Sequence, residues 1–577
     1  MRRGFAPALL ILLLALTGCR SEPDDPVAPL ADATAAAPPA AHPQHLVTAT
    51  IADPQTFNPI IASDAASHAA ISDIFDTLVR LDPRSGEIEP ALAERWSLDQ
   101  RGKSLTMWLR PDARWHDGQP VTARDVVFTF EAIRNPAVPS PLDAALTVGG
   151  KPIEVRALDS HSVRFTIEQP FAPLLSALVV PIVPEHVLGP ALRDGTFAQQ
   201  WRTGVTAQTV VGDGPYRLER YEPGRLIHLV RNDDYWMRDE QGARLPYLAE
   251  RTIRIVPDQA TATRTFLAGE IDLHTPAPDE VRALLAAQTG GGQFAVHELG
   301  VDPGMLFVAF NRNPAHYRQN GVVNPRLTWF SDPLFLRALA HGVDKQAMID
   351  GALDGFGMPA VSFVSPSNTR FADPHLVDYA YDLTRAAALL DEGGYIDRDG
   401  DGVREDRDGH PVEFTLSTNA SNPVREQIAA ILQHDWQDHL HLHVHLESHE
   451  LDAMIERLQS TFDWDAMLIG FTGSLDPNDA ASLLRSSGAL HVWYPKQPRP
   501  ATDWEAEIDT LLDTGASSLD LEARRRAYWR VQEILVERLP IIQTVRPLRY
   551  SAATTALENY EPTVWGVYHP EKIRFAE

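Results

Sequence analysis

The sequence predicts an α/β fold whose domains interrupt one another, and three observations lead there. Strand-like and helix-like apolar patterns alternate from residue 45 to near the C-terminus, with no fixed-period repeat. Of the 577 residues 44% are hydrophobic, enough for a large core in a chain long enough for two or more domains. The one cysteine, Cys19, excludes an intramolecular disulfide, so the fold has to rest on that core.

The N-terminus reads as a leader. Met1-Arg2-Arg3 is positive, residues 8–16 are apolar, and Leu16-Thr17-Gly18 places small residues before Cys19. This order predicts a signal peptide over residues 1–18, too short for a membrane span of roughly 20 apolar residues. A cysteine directly after the cut resembles the lipobox of bacterial lipoproteins. That resemblance implies lipidation of Cys19, and so an exported, periplasmic or cell-surface lipoprotein held to a bacterial membrane. Residues 19–44 follow as a disordered tether: Pro23, Pro26, Pro29, Pro38, Pro39 and Pro43 stand among alanines, with few large apolar side chains. The formal charge is −27, and −29 once Arg2 and Arg3 are removed. No basic patch interleaved with aromatics favours nucleic acid, and no second run of about 18 apolar residues follows the leader.

The elements follow in order. Residues 46–51 and 105–109 read as strands. Thr122 with Asp125 three residues later opens a helix whose apolar face holds Val126, Val127 and Phe130. Asp332-Pro333 opens a second, with Phe335, Leu336, Leu339, Val343 and Met348 at helical spacing. Further helices are expected over 422–437, 503–513 and 521–538.

Several segments then carry a likeness. They include Asp53-Pro54-Gln55-Thr56-Phe57-Asn58-Pro59, Leu109-Arg110-Pro111-Asp112-Ala113-Arg114-Trp115-His116-Asp117-Gly118, Gly212-Asp213-Gly214-Pro215-Tyr216 and Phe335-Leu336-Arg337-Ala338-Leu339. Together they resemble bacterial extracellular solute-binding proteins of family 5, the receptors of peptide and nickel importers. The resemblance implies a two-lobe clamshell, of the type II, cluster C-like kind with an extra subdomain in the N-terminal lobe. Lobe I is expected over 45–308 with an inserted subdomain at about 85–205, lobe II over 309–542, and a return to lobe I over 543–577. It also implies a monomer that captures a small solute or peptide and serves the permease subunits of an ABC importer. A nickel or metal chelate, an oligosaccharide, or a sensor or chaperone role outside transport are the alternatives.

Candidate contacts follow from the same likeness. The segment from Gly470, Phe471 and Thr472 to Ser474 and Asp476 resembles the stretch that meets ligand in the family. Ser474 stands where peptide-binding members place an aspartate for the peptide amino group. Phe57 and Asn58 after the first strand, Phe363 in the 362–366 stretch, and Trp493 beside Tyr494 are further candidates. No cofactor is expected, with one exception: Asp397, Asp399 and Asp401 open like a calcium loop. Its twelfth position is Asp408 and a strand-like run follows, so an unmetallated turn is the alternative. His439, His441, His443 and His445 alternate with aliphatics, which predicts one strand with four imidazoles on one face and at most weak metal uptake. No H-E-x-x-H or G-x-S-x-G motif is present, and an enzyme is not expected.

Overall fold

The computed structural model describes residues 44–319, 322–420 and 422–576. The predicted signal peptide, Cys19 and the tether up to residue 43 lie outside the described residues.

The first strand, His45–Thr50, runs parallel to Glu250–Ile255, and Leu226–Arg231 and Tyr216–Glu222 complete a four-stranded sheet. Its buried face carries Leu218, Ile227, Leu229 and Ile253. Between the first strand and the rest of that sheet the chain builds a second, antiparallel sheet in the order Ala93–Leu98, Ser104–Leu109, Ser162–Thr166, Glu154–Ala157. The helix Ala123–Arg134 covers it, with Phe130 edge-on to Phe165 at 5.4 Å between centroids. Leu105, Phe130, Phe165 and Ile227 belong to one continuous core, so the insertion and the first sheet form a single lobe.

The other lobe is built on a five-stranded sheet ordered His443–His449, Glu413–Asn419, Ala466–Phe471, Met305–Phe310, Ile541–Gln543. The first three strands are parallel, and Met305–Phe310 is antiparallel to both its neighbours. Both faces are covered, which explains why Met305–Phe310 is apolar throughout. Val308 and Phe310 pack with Leu339 and Trp436, whereas Phe307 and Ala309 pack with Trp493 and Tyr528.

Helix Leu521–Arg538 spans the residues the sequence predicts, and Asp503–Ser517 runs four residues further than its apolar pattern. The helix expected from Asp332 through Met348 is two helices. Pro333–His341 stops at Gly342, and Asp344 caps a new helix, Lys345–Ala352, by accepting from Ala347 N at 2.8 Å.

The chain passes between the lobes twice. Residues 302–304 link Phe294–Val301 of the first lobe to Met305–Phe310 of the second, and Thr544 links Ile541–Gln543 to Val545–Thr554. The two crossings are bonded to each other through Asp302 N to Pro547 O at 2.9 Å and Thr544 N to Leu306 O at 3.0 Å. Arg546 locks them together. Its buried guanidinium donates to the carbonyls of Asp302 (3.2 Å), Pro303 (2.8 Å), Gly304 and Ser362 (2.8 Å). Desolvation lowers its pKa to about 10, against the pull of Asp302. The lobes also meet away from the crossings, where Ala172 N donates to Ala516 O at 2.7 Å and Arg370 Nη1 to Gly86 O at 3.4 Å.

Candidate functional site

Three parallel strands of the second lobe end together at Asn419, His449 and Phe471. The carboxyl edge of such a sheet is where α/β proteins collect ligand contacts. Ala466–Phe471 is paired along its whole length with Met305–Phe310 on one side. On the other side its ladder to Glu413–Asn419 covers Leu416 with Ala466 and Ser417 with Met467 and goes no further. Ile469, Gly470 and Phe471 therefore present an edge of backbone that the sheet leaves unladdered, beside the first crossing. An extended ligand laid there can add as a strand, and main-chain bonding of that kind gives affinity without strict side-chain selection. Two glycines let this strand and the loop after it pack close against the backbone of residues 303–305. A Cβ on Gly473 would stand 1.9 Å from the Pro303 carbonyl oxygen, and one on Gly470 3.0 Å from that of Met305.

A cation stands at the same edge. The helix Pro423–His434 starts just after Glu413–Asn419, and Asn422 accepts from Arg425 N at 3.0 Å, which sets Arg425 in the first turn. Arg425 Nη1 donates to Asn419 Oδ1 at 2.7 Å, and Nη2 lies 2.8 Å from where a Cβ on Gly470 would be. Among the described residues no carboxylate pairs with it, and desolvation lowers its pKa. A half-buried guanidinium without a counter-ion is a ready partner for an anionic group.

The loop beyond the strand is held from within the lobe. Asp476 takes two bonds from Arg524 Nη2, at 2.7 and 2.6 Å, and caps Asn478 N at 3.0 Å. Arg524 is anchored in turn to Gly515 O at 2.7 Å. Ser474 Oγ donates to Asp476 O at 2.7 Å, and Asn368 Nδ2 donates to Leu475 O at 3.0 Å.

Known proteins give this geometry a family. The model of bacterial extracellular solute-binding proteins, family 5 (middle), matches residues 87–490. The chain belongs to that family. Among its relatives the oligopeptide-binding protein AppA of Bacillus subtilis (strain 168) is 26% identical over 539 residues, covering 91% of this chain and 89% of AppA. The structure of AppA from Bacillus subtilis in complex with a nonapeptide is similar with a TM-score of 0.70 at 24% identity, covering 92% of this chain and 99% of AppA. NikA from Brucella suis in complex with Fe(III)-EDTA is similar with a TM-score of 0.73 at 22% identity, over 92% of this chain and 100% of NikA. Family 5 proteins are two-lobe solute-binding proteins, and this chain shares their fold. No helix among the described residues is long and apolar enough to cross a membrane.

Within the family fold, the residues singled out from sequence fall into two groups. Gly470, Phe471, Thr472 and Ser474 lie together at the open edge, with Phe471 stacked on Phe307 at 6.1 Å between centroids. Phe57, Asn58, Phe363 and Trp493 are in packed interiors. Phe57 is fully buried in the first lobe's core, edge-on to Tyr221 at 5.2 Å. Asn58 spends its amide on backbone, donating to Phe197 O at 3.4 Å and accepting from Ile60 N at 3.1 Å. Phe363 is in the core of the second lobe. Trp493 is fully buried and donates to Glu505 Oε1 at 3.0 Å. Burial would raise the pKa of Glu505, but the nearby His491 ring and the bonds from Trp493, Thr502 and Ala501 bring it down to about 2.

Asn419 and Arg425 escape the sequence reading; their one signal is the strand that ends at Asn419 and the Asn422-Pro423 helix start after it. A cavity of about 510 Å³ lies further along, lined by Val364, Trp529, Gln532 and Arg546 among others.

The sequence-predicted metal sites come out differently. Carboxylate oxygens of Asp397, Asp399, Asp401 and Glu405 lie within 4.8 Å of one another, an all-oxygen set of the kind that suits a hard cation. Gly402, at φ +92°, makes the turn, and Asp397 already accepts from Gly400 N at 2.7 Å and Gly402 N at 3.1 Å. The four-imidazole strand does not form. His439 ends a π-helical turn and His441 has a left-handed φ of +58°, so only His443 and His445 of the four lie on a strand.

Proposed function

We propose that this chain is the substrate receptor of an ABC importer, capturing an oligopeptide between its lobes at the carboxyl edge of the second lobe's sheet. The observation that carries this reading is the unladdered backbone of Ile469–Phe471 with the Arg425 guanidinium beside it. Strand addition suits an extended peptide, and Arg425 suits its terminal carboxylate. The names of the relatives fit, AppA being an oligopeptide-binding protein whose structure was solved with a nonapeptide. Asp476 is engaged by Arg524 and Ser474 is neutral, so neither offers a free carboxylate to a peptide amino group. Recognition on this reading rests on backbone and carboxylate rather than on a free N-terminus. Bonds made in a closing, water-poor cleft gain strength, and the closed form offers the permease a distinct surface.

Calorimetric titration with a set of short peptides tests the reading, and saturable binding with the peptide recovered unchanged is the expected result. Silence with every peptide, together with uptake of a metal chelate, would replace the peptide by a chelate as the ligand class.

The leader pattern extends the proposal to the membrane. Lipidation of Cys19 would hold the receptor near its permease, and a diacyl anchor is needed because one acyl chain binds only marginally. Cys19→Ser is expected to release the protein from the membrane fraction while leaving ligand affinity unchanged. Retention of the variant in that fraction would sink the anchor.

A further inference from the structure

We propose that His45, His228 and Glu250 form a binding site for a divalent transition-metal ion on the first lobe's sheet, remote in sequence from the ligand edge. Strand register brings them together. His45 is paired with Glu250 across the parallel ladder, and His228 with Thr252 across the antiparallel one. Glu250 and Thr252 are two residues apart on the same strand, so all four side chains share one face of the sheet. One ligand atom from each of His45, His228 and Glu250 falls within 4.8 Å of the others.

A hydroxyl beneath the cluster orders the rings. Thr252 Oγ1 lies 2.8 Å from His45 Nε2 and 3.1 Å from His228 Nδ1. A threonine oxygen has two lone pairs and can accept an N–H from each ring. We assign the tautomers accordingly, which turns the basic nitrogens, His45 Nδ1 and His228 Nε2, toward the carboxylate. Both face the same oxygen, Glu250 Oε2, at 4.0 and 3.8 Å. Around a tetrahedral zinc with bonds of about 2 Å, ligand atoms stand roughly 3.3 Å apart, so a small inward shift of the half-exposed Glu250 brings its oxygen to that spacing from both rings. Two imidazoles and a carboxylate, with the other ring nitrogens bonded behind, are a set that zinc, nickel and copper accept, and water can complete it from the open side.

The group of Glu413, His443 and His445 lacks this order. His445 Nε2 is bonded directly to Glu413 Oε1 at 2.6 Å, so an ion there would have to break that contact. An ion at His45 would join three neighbouring strands, including the first strand after the tether, and raise the stability of that sheet with metal concentration.

The test is calorimetric titration of the untagged, chelator-treated full chain with Zn²⁺, in a His443→Ala/His445→Ala background that silences the second cluster. One equivalent is expected to bind, and Co²⁺ in its place should give the visible absorption of a low-coordinate imidazole–carboxylate site. Adding His228→Ala or Glu250→Gln should weaken uptake at least 10-fold, and Thr252→Val about 10–100-fold, as loss of an outer-shell partner does. Melting temperatures of the metal-free variants serve as the fold control, with His228→Gln as a second, bulkier replacement. Uptake that survives both ligand substitutions, or that vanishes with His443 and His445 alone, overturns the site.

Discussion

Asp213, buried, and Asp76, half-buried, are two carboxylates of the first lobe that touch through backbone, Asp213 Oδ1 accepting from Asp76 N at 2.9 Å. Burial pushes Asp76 up to about 7, although Trp236 and Tyr235 donate to it and oppose the rise. Asp213 is raised well above the carboxylate range by burial and then by the charge of Asp76. Their folded pKa values exceed the unfolded ones, so the stability they contribute is present below about pH 4 and falls as pH rises toward about 7. Asp213→Asn keeps the acceptor for Asp76 N and removes one titrating group. It is expected to flatten the decline in unfolding free energy between about pH 4 and 7 and to leave the variant more stable than the native chain at pH 7. Urea denaturation at a series of pH values checks this, and an unchanged slope would contradict it. At this scale the sequence was a partial guide. It marks Phe57, Asn58 and Trp493 as aromatic or polar residues in motif segments, but whether such a residue lines a cleft or fills a core depends on distant partners. Trp493 is held by Glu505, and Asn58 by the carbonyl of Phe197, contacts that no local pattern carries.

Among the elements, the helix Ala123–Arg134 shows how far a local signal reaches. The Thr122–Asp125 spacing announces its start, and Asp125 Oδ2 does accept from Thr122 N at 2.8 Å and Thr122 Oγ1 at 3.0 Å. Asp125 Oδ1 also accepts from Glu185 N at 3.0 Å, which ties the cap to the start of the helix Glu185–Arg193. Asp125→Ala is therefore expected to cost about 2–3 kcal/mol, more than a solvent-exposed cap, because buried donors lose their acceptor. Asp125→Asn should cost less. A lower urea midpoint with an unchanged slope is the expected readout, and a loss under about 0.5 kcal/mol would contradict the buried cap. Where two local signals compete, the pattern misleads. Apolar spacing alone carries a helix from Phe335 through Met348, yet Gly342 and the capping Asp344 divide it. Alternation alone lays four histidines on a strand, yet the chain is still leaving a helix at His439 and turns through a left-handed residue at His441. Strand periodicity shows only where the backbone is already extended.

For the whole molecule, family motifs spread along the chain make two lobes legible, and the segment from Gly470 to Ser474 marks one side of the ligand edge. Arg425 was hidden because it approaches Gly470 from 45 positions earlier in the chain, through a helix that begins at the end of a neighbouring strand. The Arg546 lock was hidden for a similar reason, since it bonds carbonyls more than 180 residues away. The two features differ in kind: buried bonds of Arg546 fix where the lobes join, and the strand beside the join keeps an unladdered edge. On the proposed function, Ile469–Phe471 and Arg425 together hold a peptide by its backbone and its carboxylate. Calorimetry with one peptide in its free-acid and C-terminally amidated forms, on the native chain and on Arg425→Ala, tests it most directly. The native chain is expected to bind the free acid at least 10-fold more tightly, about 1.4 kcal/mol, and Arg425→Ala to bind both forms alike and weakly. Equal affinity for both forms in the native chain, or tight binding untouched by Arg425→Ala, would contradict it.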